Sequence, residues 1–404
     1  MQQSSVFAAQ TKIAPMKQTA APAKAKIFFP NLDGLRFVSF FVVFLYHSLL
    51  SILSYLKDAS PRVYSVVEFL FRHGNLGVNF FFVLSGFLIT YLLIKEKEFT
   101  GRIHVPNFYV RRILRIWPLY YLCVIVGFIG FGLLKKMTGE PLMENANPWY
   151  YIFFGANFDI MHTWPEKPDA LLLSVLWSVA VEEQFYLTWP LILSIVPLKK
   201  FRYVFPAIMV FSLVFRSFYS GAGDHDFAVR YFHTFSVIGD MALGGLFAYL
   251  VSYENKFKSF ITNMSRPAII MIYVLTLVFT LFKDNIFVPG VAVVFERLII
   301  ASLFGLIILE QNYAKNSFYK MGRLKTISSL GVFTYGLYCL HFMGLYFAIK
   351  VMNSLQLNGS LNSVAFSMIL LALLLSIGIS LMSYHFYEKW FLRLKDKFAF
   401  IVKK

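Results

Sequence analysis

Arg36 and His47 stand eleven residues apart in "LRFVSFFVVFLYH". At about 100° per residue, eleven steps close to within about 20° of three full turns. On a helix the two side chains therefore leave the same face, roughly 16 Å apart along the axis. The surrounding residues are apolar enough to cross a bilayer, where ionisable side chains are costly and mark function. Histidine is the common general base near neutral pH, so His47 is a candidate to deprotonate a hydroxyl, with Arg36 as its partner.

Other stretches carry chemistry of their own. "LWSVAVEEQFYLTWP" puts Glu182 and Glu183 inside an apolar segment, and Tyr186 shares a helical face with Glu182. "NFYVRRILRIWPLYY" puts Arg111 and Arg115 on one face, with Arg112 pointing elsewhere. Clustered guanidinium groups suit phosphate. Ser85 and Gly86 sit within an aromatic run, where small residues allow close helix packing or leave room for a slender ligand. Asp240, Glu296, Arg297 and His341 read as interhelical hydrogen-bonding groups. The "DHD" at 224–226 reads as a polar outer loop rather than a metal motif. Cys123 and Cys339 have neither metal spacing nor a disulfide framework.

Something must hold these groups inside a bilayer. The chain is 58% hydrophobic and 15% charged over 404 residues. That composition, with apolar runs recurring along the chain, predicts an all-α polytopic membrane protein. About ten transmembrane helices are expected, near 36–56, 76–95, 117–134, 174–195, 203–220, 233–252, 267–283, 288–309, 329–351 and 363–384. His47 would then lie near the middle of the first. The net charge of +17 reads as topology rather than nucleic-acid binding. With a cytoplasmic N-terminus, 26 of the 38 Lys and Arg residues fall in inner segments. Both termini are thus expected in the cytoplasm. Residues 1–29 read as a disordered basic tail, 30–392 as one membrane domain and 393–404 as a basic C-terminal tail. The long outer segment 135–173 has interfacial aromatics.

Several motifs occur in order: "LDGLRFVSFFVVFLYH", "GVNFFFVLSGFLI", "FYVRRILRIWPLYY", "LWSVAVEEQFYL", "GDMALGGLFA" and "FYEKWF". With them the chain resembles the acyltransferase 3 family of integral membrane acyltransferases over about residues 30–392. Two positions depart from the family pattern. Met343 follows His341 where proline is usual, and Lys389 follows Glu388 where proline is usual.

The resemblance implies a cytosolic acyl-CoA donor, by default acetyl-CoA, and a hydroxyl of a glycan or glycolipid as acceptor. It implies that His47 and Arg36 are catalytic and that Arg111 and Arg115 hold the CoA phosphates. Glu182 and Tyr186, with Asp33 and Ser85, would bind substrate; no metal is called for. The bacterial inner membrane is the implied location. Some relatives carry a fused extracytoplasmic hydrolase-like domain, and this chain is read as the stand-alone form. Direct transfer and an acyl-histidine intermediate both remain open. A proton-coupled transporter is the alternative that intramembrane charges also allow.

Overall fold

A computed structural model describes residues 29–357 and 363–398. The expected N-terminal tail (up to residue 28) and the last six residues lie outside the described part. Among the described residues there is no strand.

Among the described residues ten helices of at least 15 residues lie at or near the expected spans, except that the third begins at Val105 rather than near residue 117. They are α1 Pro30–Leu50, α2 Gly77–Thr100, α3 Val105–Ile125, α4 Leu176–Ile195 and α5 Phe201–Ser217. The rest are α6 Thr234–Tyr253, α7 Arg266–Leu281, α8 Val291–Tyr313, α9 Thr334–Ser354 and α10 Ile369–Ser383. Only seven helical stretches among the described residues are long and apolar enough to cross a membrane, or eight if a bent pair counts as one span. The count of ten is corrected accordingly. The shortfall lies in α4, α5 and α7. Helix α4 carries Glu182, Glu183 and Gln184 at its centre. Helix α5 has 17 residues. Helix α7 has 16, and it qualifies only with Asn255–Thr262, from which it bends by 90°. Its exposed Ile270, Met271, Val274, Leu277 and Val278 form an apolar outer surface suited to lipid.

The first span also differs from its expected limits. Proline opens α1 at Pro30, and the helix ends at Leu50 rather than near residue 56. Ser48 and Ser51 bond back to the carbonyls of Phe44 and Ser48, at 2.7 and 2.6 Å, and compete with the helical ladder. His47 consequently sits in the last turn of α1, not at mid-helix.

Helices α2 and α6 pack backbone to backbone. A Cβ on Gly86 would stand 2.0 Å from the carbonyl oxygen of Met241, and one on Gly244 would stand 2.1 Å from that of Val83. These glycines bring the helices together, which fixes where neighbouring Ser85 points. Helix α3 runs into a π-helical turn at Val126–Gly130 before continuing as Phe131–Thr138. Such turns widen a helix locally and recur at functional sites; this one borders the larger cavity described below. Beyond α10, the described C-terminal residues continue in helical turns to Phe398. They dock on α3, where Tyr387 donates to the Pro118 carbonyl at 3.2 Å and Arg111 to that of Phe398 at 2.9 Å.

Candidate active site

Two cavities meet inside the bundle. The smaller, about 120 Å³, is lined by Arg36, Ser85, Arg112, Arg115, Glu182 and Tyr186, among others. The larger, about 710 Å³, holds His47 together with Tyr46, Trp164, Lys167, Trp177 and Tyr231. Two residues, Val78 and Tyr338, line both. The Arg36–His47 helix face thus serves two chambers: its arginine opens into one and its histidine into the other.

In the smaller chamber Arg36 donates to Asp33 at 2.5 Å, a helical i, i+3 pair that fixes the guanidinium. Asp33 is engaged there and does not line the chamber. Glu182 accepts from Ser85 Oγ at 2.7 Å and from the Tyr186 hydroxyl at 3.3 Å. Ser85 Oγ and the Tyr186 hydroxyl are 2.8 Å apart, closing a triangle. Glu183 turns away, as its 100° offset requires, and accepts from the Trp117 indole at 2.8 Å.

The arginines divide differently from the sequence reading. Arg111 does not line the chamber; the buried Glu96 carboxylate holds it at 3.0 Å. Arg112 takes its place beside Arg115. The Arg112 guanidinium lies 5.4 Å from the Tyr186 ring centroid and 5.5 Å from that of Phe108, and its Nε has no hydrogen-bond partner among the described residues. Among the described residues no carboxylate forms an ion pair with Arg112 or Arg115, which leaves cationic character for an anion.

The larger chamber is walled by aromatic rings. Trp164 packs on Phe227 and Phe232 with centroids 5.2 and 5.4 Å apart, and Trp177 on Tyr231 at 5.1 Å. Among the described residues, the buried indole nitrogen of Trp164 and side-chain oxygen of Asn75 have no hydrogen-bond partner. Lys135 is paired with Asp169 at 2.5 Å, whereas Lys167 has no such pairing among the described residues. This mixture of apolar walls with a few convergent polar atoms is typical of small-molecule sites, and the volume is in their usual range.

His47 is partly open to this chamber, and its Nδ1 lies 2.8 Å from Nε2 of His341. His341 is fully buried, and its own Nδ1 lies 2.7 Å from the Tyr338 carbonyl oxygen. The Tyr338 hydroxyl stands 2.7 Å from Ser178 Oγ at the shared wall. Sequence spacing sets Arg112 apart and gives no sign of Ser178 or Tyr338, while the interhelical hydrogen bond expected of His341 is present and is made to His47. The one signal was the depth of His341 in "TYGLYCLHFM". Asp224, His225 and Asp226 open a short helix, Asp224–Phe232, and no metal-binding cluster occurs among the described residues.

A helical membrane bundle with an arginine-lined chamber abutting a histidine-bearing one defines the class: an integral membrane protein with two internal chambers that share a wall. The chain belongs to the acyltransferase 3 family, whose acyltransferase-domain model matches residues 29–385. It is 28% identical over 400 residues to the O-acetyltransferase OatA of Staphylococcus aureus strain NCTC 8325, covering 93% of this chain and 59% of that protein. It is 29% identical over 188 residues to the peptidoglycan O-acetyltransferase OatA of Listeria monocytogenes EGD-e, covering 45% and 26%. A provisionally named O-acetyltransferase of S. aureus strain COL is 30% identical over 236 residues, covering 55% and 35%. The chain therefore spans between about a quarter and three fifths of the length of these relatives. No solved structure matches it significantly.

Proposed function

We propose that this protein transfers an acyl group, acetyl by default, from acyl-CoA to a hydroxyl of a glycan or glycolipid. One observation carries the reading: Val78 and Tyr338 form a common wall between a cationic chamber and the chamber holding His47. A donor and an acceptor can reach that wall from opposite sides. In this reading the chain lies in the bacterial inner membrane with both termini cytoplasmic, and the donor comes from the cytosol.

Each group then has a task. Arg112 and Arg115 receive the CoA phosphates at the mouth of the smaller chamber, since guanidinium–phosphate contacts are strong and directional. Arg36, fixed by Asp33, orients the thioester arm within the chamber. Glu182, Ser85 and Tyr186 shape its wall. The acceptor sugar lies among Trp164, Trp177 and Tyr231 and presents a hydroxyl to His47.

The acceptor O–H gives its proton to His47 while its oxygen bonds to the thioester carbonyl carbon. The C–S bond breaks, and the thiolate of CoA leaves. The imidazolium returns the proton to that sulfur, so the products are an O-acyl glycan and free CoA, with His47 restored. The purified protein in lipid nanodiscs, given isotopically labelled acetyl-CoA and a glycan acceptor, should yield labelled glycan and one free CoA per acetyl moved. Acceptor passage across the membrane without CoA release would instead indicate transport.

A further inference from the structure

We propose that His341 is the positioning residue for the transfer, resting on the reading of His47 as its base. It sets which nitrogen of His47 faces the acceptor and strengthens its hold as His47 becomes charged. His341 meets no substrate itself: it is fully buried and does not line the chamber that His47 lines.

The assignment follows from the hydrogen-bond partners. A backbone carbonyl only accepts, so the 2.7 Å contact with the Tyr338 oxygen requires a proton on Nδ1 of His341. A neutral imidazole carries one N–H. Nε2 of His341 is then a lone pair, and the 2.8 Å contact requires that His47 donate from Nδ1. The remaining nitrogen of His47, Nε2, is left unprotonated as a base. The two rings are within 10° of parallel, with centroids 5.1 Å apart, so the lone pair of one lies close to the plane of the other. Among the described residues no carboxylate reaches either imidazole, so nothing there holds a second proton on His341.

The rings that surround His341 keep it in place. Phe40 and Phe44 meet it edge-on at 6.0 and 6.4 Å, and Phe342 stacks at 4.7 Å. Helix α9 contributes both His341 and, three residues earlier, the carbonyl that orients it. When His47 accepts the proton of the acceptor, its Nδ1–H becomes a charge-assisted donor to His341, and such bonds are about twice as strong as neutral ones. The gain arises as charge develops and therefore raises kcat rather than donor affinity.

His341→Gln keeps an oxygen that can accept from His47, whereas His341→Met keeps bulk and offers only a weak sulfur acceptor. Both variants and His47→Ala would be assayed in nanodiscs for kcat, donor KM and thermal midpoint. His341→Met should lose at least about tenfold in kcat, a modest share of what a catalytic histidine loses with its orienting partner. Its donor KM and thermal midpoint should stay near wild type. His341→Gln should recover most of that loss. Full kcat in His341→Met overturns the proposal. So does a folded His341→Gln as slow as His341→Met, or below about a tenth of wild type where the Met variant does not fold. An inactive His47→Ala beside a fully active His341→Met rejects His341 alone, whereas an active His47→Ala removes the reading of His47 on which it rests.

Discussion

Nδ1 of His47 lies 2.8 Å from Nε2 of His341, across 294 residues of chain. The contact joins the last turn of α1 to the second turn of α9. It turns the single histidine legible in the first span into an oriented pair. Tyr338 extends the relationship, because its carbonyl fixes His341 while its hydroxyl stands at the wall between the two chambers.

The arginines should separate in a donor titration. Arg112→Ala and Arg115→Ala each remove an unpaired guanidinium from the smaller chamber. Each should raise the acyl-CoA KM by roughly tenfold, as expected for one charged hydrogen bond. Arg111→Ala breaks a pairing with Glu96 instead and should change donor KM little. Added salt should raise KM further wherever the phosphate contact is partly open to water. Equal effects from all three variants would return Arg111 to the donor site.

Val78 is small, buried and common to both chambers. Val78→Phe should fill the shared wall. Acetyl transfer should then fall steeply in kcat while acyl-CoA still binds, which equilibrium binding of a non-hydrolysable acyl-CoA analogue would show. A Val78→Phe protein with normal turnover would mean that the acyl group takes another route.

Glu182 accepts from two hydroxyls, those of Ser85 and Tyr186. Glu182→Gln keeps the shape but replaces one accepting oxygen with a donor, so one hydroxyl must turn away. Activity should fall by more than about tenfold if the charge serves substrate, with thermal midpoint close to wild type. Parallel loss of activity and stability would mark Glu182 as structural. Glu183→Gln, on the face bonded to Trp117, should leave donor kinetics nearly unchanged.

The readable part of this molecule is periodic. Apolar runs located the ten long helices, and the eleven-residue spacing of Arg36 and His47 put them on one helix. The 100° step separated Glu182 from Glu183. What could not be read depends on partners distant in sequence or on local competition. Arg111 and Arg112 are indistinguishable as charges until Glu96 is seen to capture one of them. Helix α1 ends at Leu50 with Ser51 as its C-cap, a break inside a still apolar run that hydropathy does not register. Part of the difference in span count lies in α4, where Glu182, Glu183 and Gln184 find partners inside the bundle. His341 looked like any buried histidine because its role is defined by His47, in another helix.

In the proposed mechanism His47 removes the acceptor's proton beside a CoA thioester. The most direct measurement compares wild type and His47→Ala in nanodiscs, following acyl transfer to glycan and release of free CoA under saturating donor. His47→Ala should fold, bind acyl-CoA normally and lose at least about 10²-fold in turnover, the usual scale for a lost general base. A well-folded His47→Ala protein that acylates the glycan at near wild-type rate would contradict it.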